Sequence, residues 1–182
     1  EIAKSLATAG LAFLGVANVG EARRIRDAGV PTRIYLLGAT WSEEREEIVA
    51  HEWTPCISSL AEAEHFNRLA AARGTRLKVH LAVDTGMGRV GVWHEDALNF
   101  VKKVSSERDV ILEGIYTHFS SAGRDDFFTA YQIEAFEKLL GGALPLSQFL
   151  VNELTSRVDR STDEGRVQLL KDAQPLIAQI TA

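Results

Sequence analysis

Short apolar segments alternate with amphipathic helical segments along most of this chain, and the connections between them are short. The apolar segments are predicted strands and cover 11–17, 33–38, 54–59, 77–83 and 110–118. Helical spacing predicts helices over 1–10, 19–28, 42–51, 59–74, 94–104 and 125–140. Apolar strands joined by helical crossovers form a parallel sheet. The pattern therefore predicts an α/β fold, either doubly wound or closed as a (β/α)8 barrel, with ligands bound at the carboxyl ends of the strands.

The segment 80–91, HLAVDTGMGRVG, brings polar chemistry to the end of one of these strands. The apolar run meets Asp84, three glycines and Arg89. Glycines permit tight turns and close approach of the backbone to a ligand, and an arginine stays charged and offers a planar fork of donors. Two interpretations remain open, namely an active-site loop or a plain strand-to-helix turn with a solvated arginine.

A histidine, His118, ends the predicted strand 110–118 and belongs to the same mouth of the sheet. It could act as a proton shuttle, as a donor that orients a ligand, or as a structural histidine. No histidine or cysteine has metal-ligand spacing to another, so the sequence predicts no metal site. It contains neither a nucleophile elbow nor a phosphate-binding P-loop.

Composition limits the classes of partner. The 182 residues are 46% hydrophobic and 25% charged, as in ordinary soluble domains, with a net charge of -5. The acidic balance gives no support to a nucleic-acid partner, and no apolar run is long enough to span a membrane. A single cysteine, Cys56, fits a reducing cytoplasm. Because residues 1–10 already read as the middle of a helix, we expect that the chain is cut at its N-terminus.

A set of motifs between Phe13 and Phe136 has a specific order and spacing. In chain order they are Phe13-Leu-Gly-Val-Ala17, Glu21-Ala22, Leu36-Leu37-Gly38, His80-Leu81, Asp84-Thr-Gly-Met-Gly-Arg89-x-Gly91, Gly114-Ile-Tyr-Thr-His118-Phe119, Gln132 and Phe136. Together they resemble bacterial alanine racemase over residues 1–138. The resemblance implies a partial (β/α)8 TIM barrel, running from the second to the sixth strand, with a C-terminal helical appendage.

The resemblance also implies an activity and its residues. Alanine racemases are isomerases that interconvert L- and D-alanine and supply D-alanine for the cell wall. They hold pyridoxal phosphate through a lysine Schiff base and use that lysine and a tyrosine from the partner subunit of a homodimer as bases. Carried over by motif, Arg89 and Met87 are the substrate-binding residues, and Arg89 also belongs to the cofactor site. His118 would contact the cofactor indirectly, through the arginine that faces the pyridine nitrogen.

The sequence departs from the family pattern at several positions. The cofactor lysine of the family precedes the equivalent of Glu1, and Lys4 does not match it. Ala82 stands where many members carry a lysine that can be carbamylated and orient the arginine. The phosphate-binding Asn-Ser element, the pyridine-facing arginine and the β-rich domain with the tyrosine are expected after residue 140 and do not follow. The resemblance thus leaves cofactor binding in doubt and predicts that this chain has no racemase activity.

Residues 144–182 resemble a helical segment of bacterial replicative DNA primase instead. Pro145 lies near a helix start, and Ser161-x-x-Glu164 is a capping box before a final helix. Four basic and five acidic side chains give this segment a net charge of -1, so we do not expect it to grip nucleic acid. The sequence predicts a chimera, with an incomplete racemase-like barrel domain over 1–140 and a helical primase-like tail over 141–182. Two alternatives are a primase-derived fragment that acts in replication and a fragment with no evolved activity.

Overall fold

The computed structural model describes residues 1–143. The helices predicted for the tail, with Pro145 and the Ser161 capping box, lie outside the described residues. The elements in chain order are α1 Ile2–Thr8, β1 Phe13–Val16, α2 Val19–Asp27, β2 Arg33–Leu36, a 3-10 turn Ser42–Glu44, α3 Arg45–Ala50, β3 Thr54–Ile57, α4 Leu60–Arg73, β4 Leu77–Asp84, β5 Val92–Trp93, α5 Ala97–Ser105, β6 Val110–Thr117 and α6 Asp126–Ala143. Within the described residues no helix is long and apolar enough to cross a membrane.

The sheet is parallel, and its strand order follows the chain. β1 pairs with β2, β2 with β3, β3 with β4 and β4 with β6, while the two-residue β5 pairs only with the end of β4. A doubly wound sheet reverses its strand order at a switch point, whereas a (β/α)8 barrel does not. The topology is therefore that of consecutive strands of a barrel, as the resemblance implied. Among the described strands, β1 and β6 each pair along one edge only.

Local sequence signals explain where the best-defined helix starts and ends. Ser59 accepts a hydrogen bond from the Glu62 amide at 3.2 Å, and the Glu62 carboxylate accepts one from the Ser59 amide at 3.1 Å. Gly74 ends α4 in the left-handed region with φ of 65°. α5 begins at Ala97 rather than at His94 as predicted, because Val92 and Trp93 first pair with the end of β4.

The two faces of the sheet carry different chemistry. The face covered by the helices is the apolar core, and it includes Ile34, Leu36, Val79, Leu81 and Phe66. The opposite face would line the interior of a closed barrel, and it carries aromatic and polar side chains. These are Phe13, Arg33, Tyr35, Cys56, Lys78, His80, Glu113 and Tyr116. The strands therefore contribute their outward positions to the core and leave their inward positions available for a site.

Candidate active site at the carboxyl ends of the strands

The loop that follows β4 is built around the carboxylate of Asp84. Its Oδ1 accepts hydrogen bonds from the Gly86 amide at 2.8 Å and the Gly88 amide at 3.1 Å, and its Oδ2 lies 3.0 Å from the Gly88 nitrogen. Amide donors aimed at one carboxylate fix the turn that such an aspartate begins. The loop is thus folded back on the strand end immediately before Arg89.

Two glycines of this loop lie where an added Cβ would meet other atoms, namely backbone atoms of β4 at Gly91 and the end of the Phe128 side chain at Gly86. Gly91 has φ of 128°, and a Cβ there would lie 2.6 Å from the Asp84 nitrogen and 2.8 Å from the Val83 carbonyl carbon. Gly86 has φ of 135°, and its Cβ would lie 2.6 Å from the ring of Phe128 on α6. Both conformations are strained for residues with a side chain. The glycines therefore allow the loop to pack closely against β4 and α6, as the sequence suggested.

Arg89 is exposed and Met87 is half-buried at the outer part of the same loop. Within residues 1–143, the Arg89 guanidinium donates no hydrogen bond and forms no ion pair. Ala82, two residues before Asp84, is buried, and its side chain has no polar atom that could bind the Arg89 guanidinium. An unpaired guanidinium at a strand end is chemically suited to bind a carboxylate in two parallel hydrogen bonds.

His118 lies on the neighbouring strand end, directly after β6. β4 and β6 are in register at Val83 and Thr117, so the two strands leave the sheet side by side. The His118 side chain is exposed, and its Nδ1 lies 2.8 Å from the Phe119 carbonyl oxygen. Because a carbonyl only accepts, Nδ1 carries a proton. The structure thus places the loops of Arg89 and His118 together at one mouth, while the described contacts join the His118 ring to the Phe119 carbonyl and not to Arg89.

A buried hydrogen-bond network links these two loops, and its centre is Gln132 on α6. Thr85 and Gln132 are both fully buried. The Gln132 side chain reaches Thr85 on one loop and His118 and Ser120 on the other. In the sequence, Gln132 belongs to the set of motifs that carries the resemblance, and no role for it follows from the sequence alone. The sequence does contain one signal for a buried polar contact, because Gln132 is a polar residue on the apolar face of the predicted helix 125–140.

Below the mouth, three neutral polar side chains pack together on the inner face. Burial raises the pKa of Tyr35, Tyr116 and Cys56 above their ordinary values. The Tyr116 hydroxyl donates to the Leu37 carbonyl at 3.1 Å, and the Cys56 thiol lies 3.2 Å from the Gly38 carbonyl oxygen. These contacts hold the loop after β2. The buried Tyr35 hydroxyl has no hydrogen-bond partner among the described residues.

A charged network lies further down the inner face, towards the amino ends of the strands. Arg33 donates to Glu113 at 2.5 Å, the Lys78 ammonium lies 2.8 Å from its other oxygen, and His80 Nε2 lies 3.5 Å away. Burial pushes the pKa of the Glu113 carboxyl upwards, but hydrogen bonds from His80, Arg33 and Lys78 outweigh it and hold this pKa well below its ordinary value. Glu113 is therefore ionised, and its carboxylate pairs with both Arg33 and Lys78.

We expect the Glu113→Gln substitution to lower the free energy of unfolding by about 1 kcal/mol at pH 7, because it removes the half-buried carboxylate that pairs with two half-exposed cations. The pKa of Glu113 is lowered in the fold, so its stabilising contribution is present above the unfolded pKa of about 4.3 and is lost as the pH falls through the folded pKa. Urea denaturation at pH 7 and at more acidic pH checks both points, with the exposed Glu64→Gln as the matched control. Equal stability of the two variants at pH 7 would contradict the assignment.

Topology and mouth together define a segment of a parallel (β/α)8 barrel in which an arginine loop lies at the carboxyl ends of the strands. The family model for the N-terminal domain of alanine racemase matches residues 1–151. The chain therefore belongs to the alanine racemase family, whose members depend on pyridoxal phosphate. A second model, the DnaB-helicase binding domain of primase, matches residues 147–182. Both resemblances predicted from the sequence are confirmed.

Individual relatives agree with the family model. The alanine racemase of Halothermothrix orenii is 39% identical over 142 residues, which is 78% of this chain and 38% of that protein. The alanine racemase of Prochlorococcus marinus is 32% identical over 170 residues, which is 90% of this chain and 44% of that protein. The chain therefore spans less than half the length of these relatives.

Solved structures extend the comparison to a second kind of racemase. The alanine racemase of Clostridium difficile superposes with a TM-score of 0.74 at 26% identity, covering 82% of this chain and 40% of that one. The histidine racemase of Leuconostoc mesenteroides has a TM-score of 0.71 at 27% identity, covering 82% of this chain and 41% of that one. The fold is thus common to racemases named for different amino acids.

Proposed function

We propose that the mouth formed by the loops after β4 and β6 binds an amino acid through its carboxylate, and that the amino acid is alanine. The observation that carries this proposal is the exposed Arg89 guanidinium, which has no partner within residues 1–143 and follows a turn held by the Asp84 carboxylate. An amino acid presents one carboxylate, and an arginine fork grips that group in a defined orientation. Met87, half-buried on the same loop, would contact the apolar part of the substrate.

Pyridoxal phosphate fits part of this mouth. The cofactor carries anionic oxygens, and the chain offers the Arg89 cation to them, while the exposed imidazole of His118 lies on the neighbouring loop. When bound, the cofactor withdraws electrons from the α-carbon of the amino acid and makes its proton acidic. Arg89 would hold the substrate carboxylate beside it, and His118, with Nδ1 tied to the Phe119 carbonyl, would present Nε2 to a further donor.

Among the described residues, the two loops of the mouth, 85–91 and 118–125, contain no lysine; Lys4 lies on α1 and Lys138 on α6. Lys78 is paired with Glu113 near the amino ends of the strands, and Lys102 and Lys103 are exposed on α5. We therefore propose a racemase-like binding domain over 1–140 that binds without turnover as this chain stands. The family that the resemblance names forms homodimers, so we also propose a homodimer of this chain, located in the cytoplasm.

A ligand that needs no lysine tests this proposal directly. Phosphopyridoxyl-alanine joins the cofactor to the nitrogen of alanine through a stable single bond, so its binding depends only on the shape and charge of the mouth. Calorimetric titration of the 182-residue chain should give saturable binding, and the matched phosphopyridoxyl-ethylamine, which lacks the carboxylate, should bind more weakly. Failure of both ligands to bind at millimolar concentration would overturn the proposal.

We propose a second function for residues 141–182, which is to bind a bacterial replicative helicase. The match of residues 147–182 to the helicase-binding domain of primase favours this function. The net charge of -1 over 144–182 disfavours direct binding to DNA. The chain would then join a racemase-like domain to a protein-binding tail.

Sedimentation of the whole chain with a purified DnaB-type helicase checks this second proposal. We expect the chain to sediment with the helicase and an excess of bacterial primase to displace it, because both would use the same surface. A chain that stays in the supernatant, or that is not displaced by primase, would contradict a primase-like mode of binding.

A further inference from the structure

Both loops of the candidate site are joined by one side chain of α6. We propose that Gln132 is a positioning residue, whose amide locks the loop of Arg89 to the loop of His118 and so fixes the shape of the mouth. This inference rests on the proposed function, because it concerns the same site. It adds a residue that touches neither ligand nor cofactor and acts only through the two loops.

The hydrogen bonds of Gln132 use the full capacity of its amide. Oε1 accepts from the Ser120 amide at 3.0 Å and from the Ser120 hydroxyl at 3.3 Å. Nε2 donates to the Thr85 hydroxyl at 3.0 Å and to the His118 carbonyl at 3.3 Å. Two of these partners have only one possible role, since a backbone amide donates and a carbonyl accepts. The orientation of the amide is therefore fixed by its surroundings.

The network continues from Gln132 into the loop that carries Arg89. The Thr85 hydroxyl lies 2.8 Å from the Thr117 hydroxyl, which ties the end of β4 to the end of β6. Thr85 directly follows Asp84, whose carboxylate holds the Gly86 and Gly88 amides. A displacement of Thr85 would therefore move the start of the arginine loop.

A second contact from the same helix supports this role. The ring of Phe128, one helical turn before Gln132, packs over Gly86, where a Cβ would lie 2.6 Å from it. α6 thus contacts the arginine loop by packing and by hydrogen bonding. An ordinary core position would need only a side chain of the right volume, whereas this position needs two donors and an acceptor in one plane.

The Gln132→Glu substitution separates these two requirements. Glutamate keeps the volume and the acceptor for Ser120, but its ionised carboxylate cannot donate to Thr85 and repels the His118 carbonyl. Burial raises the pKa of such a carboxyl, so moderate acidification restores a proton that can be donated. The exposed His118 and the carboxylate of Asp84, which holds the arginine loop, are the titratable neighbours, and the unsubstituted chain measured at both pH values controls for both. Gln132→Met keeps the volume and removes all four bonds at any pH.

Amide hydrogen exchange across peptides 84–91 and 117–121 measures the effect, with rates corrected for intrinsic exchange at each pH. We expect both loops to exchange at least ten-fold faster in Gln132→Glu at pH 7.5 and to recover protection at pH 5.5, while Gln132→Met stays fast at both. Asn67→Asp on α4 is the matched control, because it adds the same charge and keeps its acceptor for the Asp109 amide. Unchanged loops, or equal acceleration throughout the sheet, would overturn the proposal.

Ligand binding gives a second readout that separates this proposal from the proposed function. We expect Gln132→Met to weaken the binding of phosphopyridoxyl-alanine at least five-fold. Binding of the analogue without a carboxylate should weaken much less, because the substitution displaces Arg89, which binds that carboxylate. If the unsubstituted chain binds neither ligand, the proposed function fails, while the exchange result still decides whether Gln132 locks the loops. Equal weakening of both ligands would overturn its role in placing Arg89.

Discussion

Replacing Gly91 by alanine is expected to lower the free energy of unfolding by about 3 kcal/mol or more, enough to unfold a marginal domain. The added Cβ would meet the Asp84 nitrogen at 2.6 Å and the Val83 carbonyl carbon at 2.8 Å, which are backbone atoms of β4. Backbone in a paired strand cannot rotate away as a side chain can. The φ of 128° adds conformational strain to the collision.

Gly88→Ala is the matched control for this prediction. Gly88 belongs to the same loop and has φ of 70°, but nothing lies within 4 Å of the position of its Cβ. We therefore expect a cost of only about 1 kcal/mol, which is the penalty for a left-handed alanine. Urea denaturation followed by circular dichroism measures both variants. If they were equally stable, the close approach of Gly91 to β4 would be wrong.

The second large effect is on ligand binding. We expect Arg89→Ala to weaken phosphopyridoxyl-alanine by about 10- to 100-fold, because a charge-assisted pair of hydrogen bonds contributes about 1.5–3 kcal/mol. Stability should stay within about 0.5 kcal/mol, since the side chain is exposed and has no described partner. Arg89→Lys keeps the positive charge but loses the planar pair of donors. Its affinity for the ligand should lie between that of the unsubstituted chain and that of Arg89→Ala.

Arg73→Ala controls for the loss of a positive charge. Arg73 is exposed in the last turn of α4, which leads to the amino end of β4 and so lies far from the mouth. We expect no change in affinity for this variant. A loss as large as that of Arg89→Ala would mean that net charge, and not the arginine loop, determines binding.

The course of the chain could be predicted from the sequence because short segments rich in apolar residues alternate with segments of helical spacing. The capping signals of Ser59 and Gly74 placed α4 to the residue, since both act locally. The sequence alone could not distinguish a doubly wound sheet from a barrel, because both arrangements bury the same apolar segments. The order in which the strands pair in the structure distinguishes them. The short β5 was missed, since two residues carry no periodicity and their pairing depends on where the loop of Gly91 turns.

The site was predicted in part for the same physical reasons. Arg89 and His118 could be placed at one mouth, because carboxyl ends of parallel strands share an edge. The hydrogen bonds by which Gln132 joins the two loops could not be predicted from the sequence. Its partners are 12 to 47 positions away in sequence, and two of them are backbone groups. The ion pairs of Glu113 with Arg33 and Lys78 likewise depend on register between strands that are distant in sequence.

The most direct test of the carboxylate-binding site is the coupling between Arg89 and the carboxylate of the ligand. Dissociation constants are measured for phosphopyridoxyl-alanine and phosphopyridoxyl-ethylamine with the unsubstituted chain and with Arg89→Ala. If Arg89 binds the carboxylate, the substitution weakens binding of the first ligand at least ten-fold and binding of the second, which keeps only the cofactor's anionic oxygens, much less. Equal effects on both ligands, or none on either, would show that Arg89 does not bind this carboxylate.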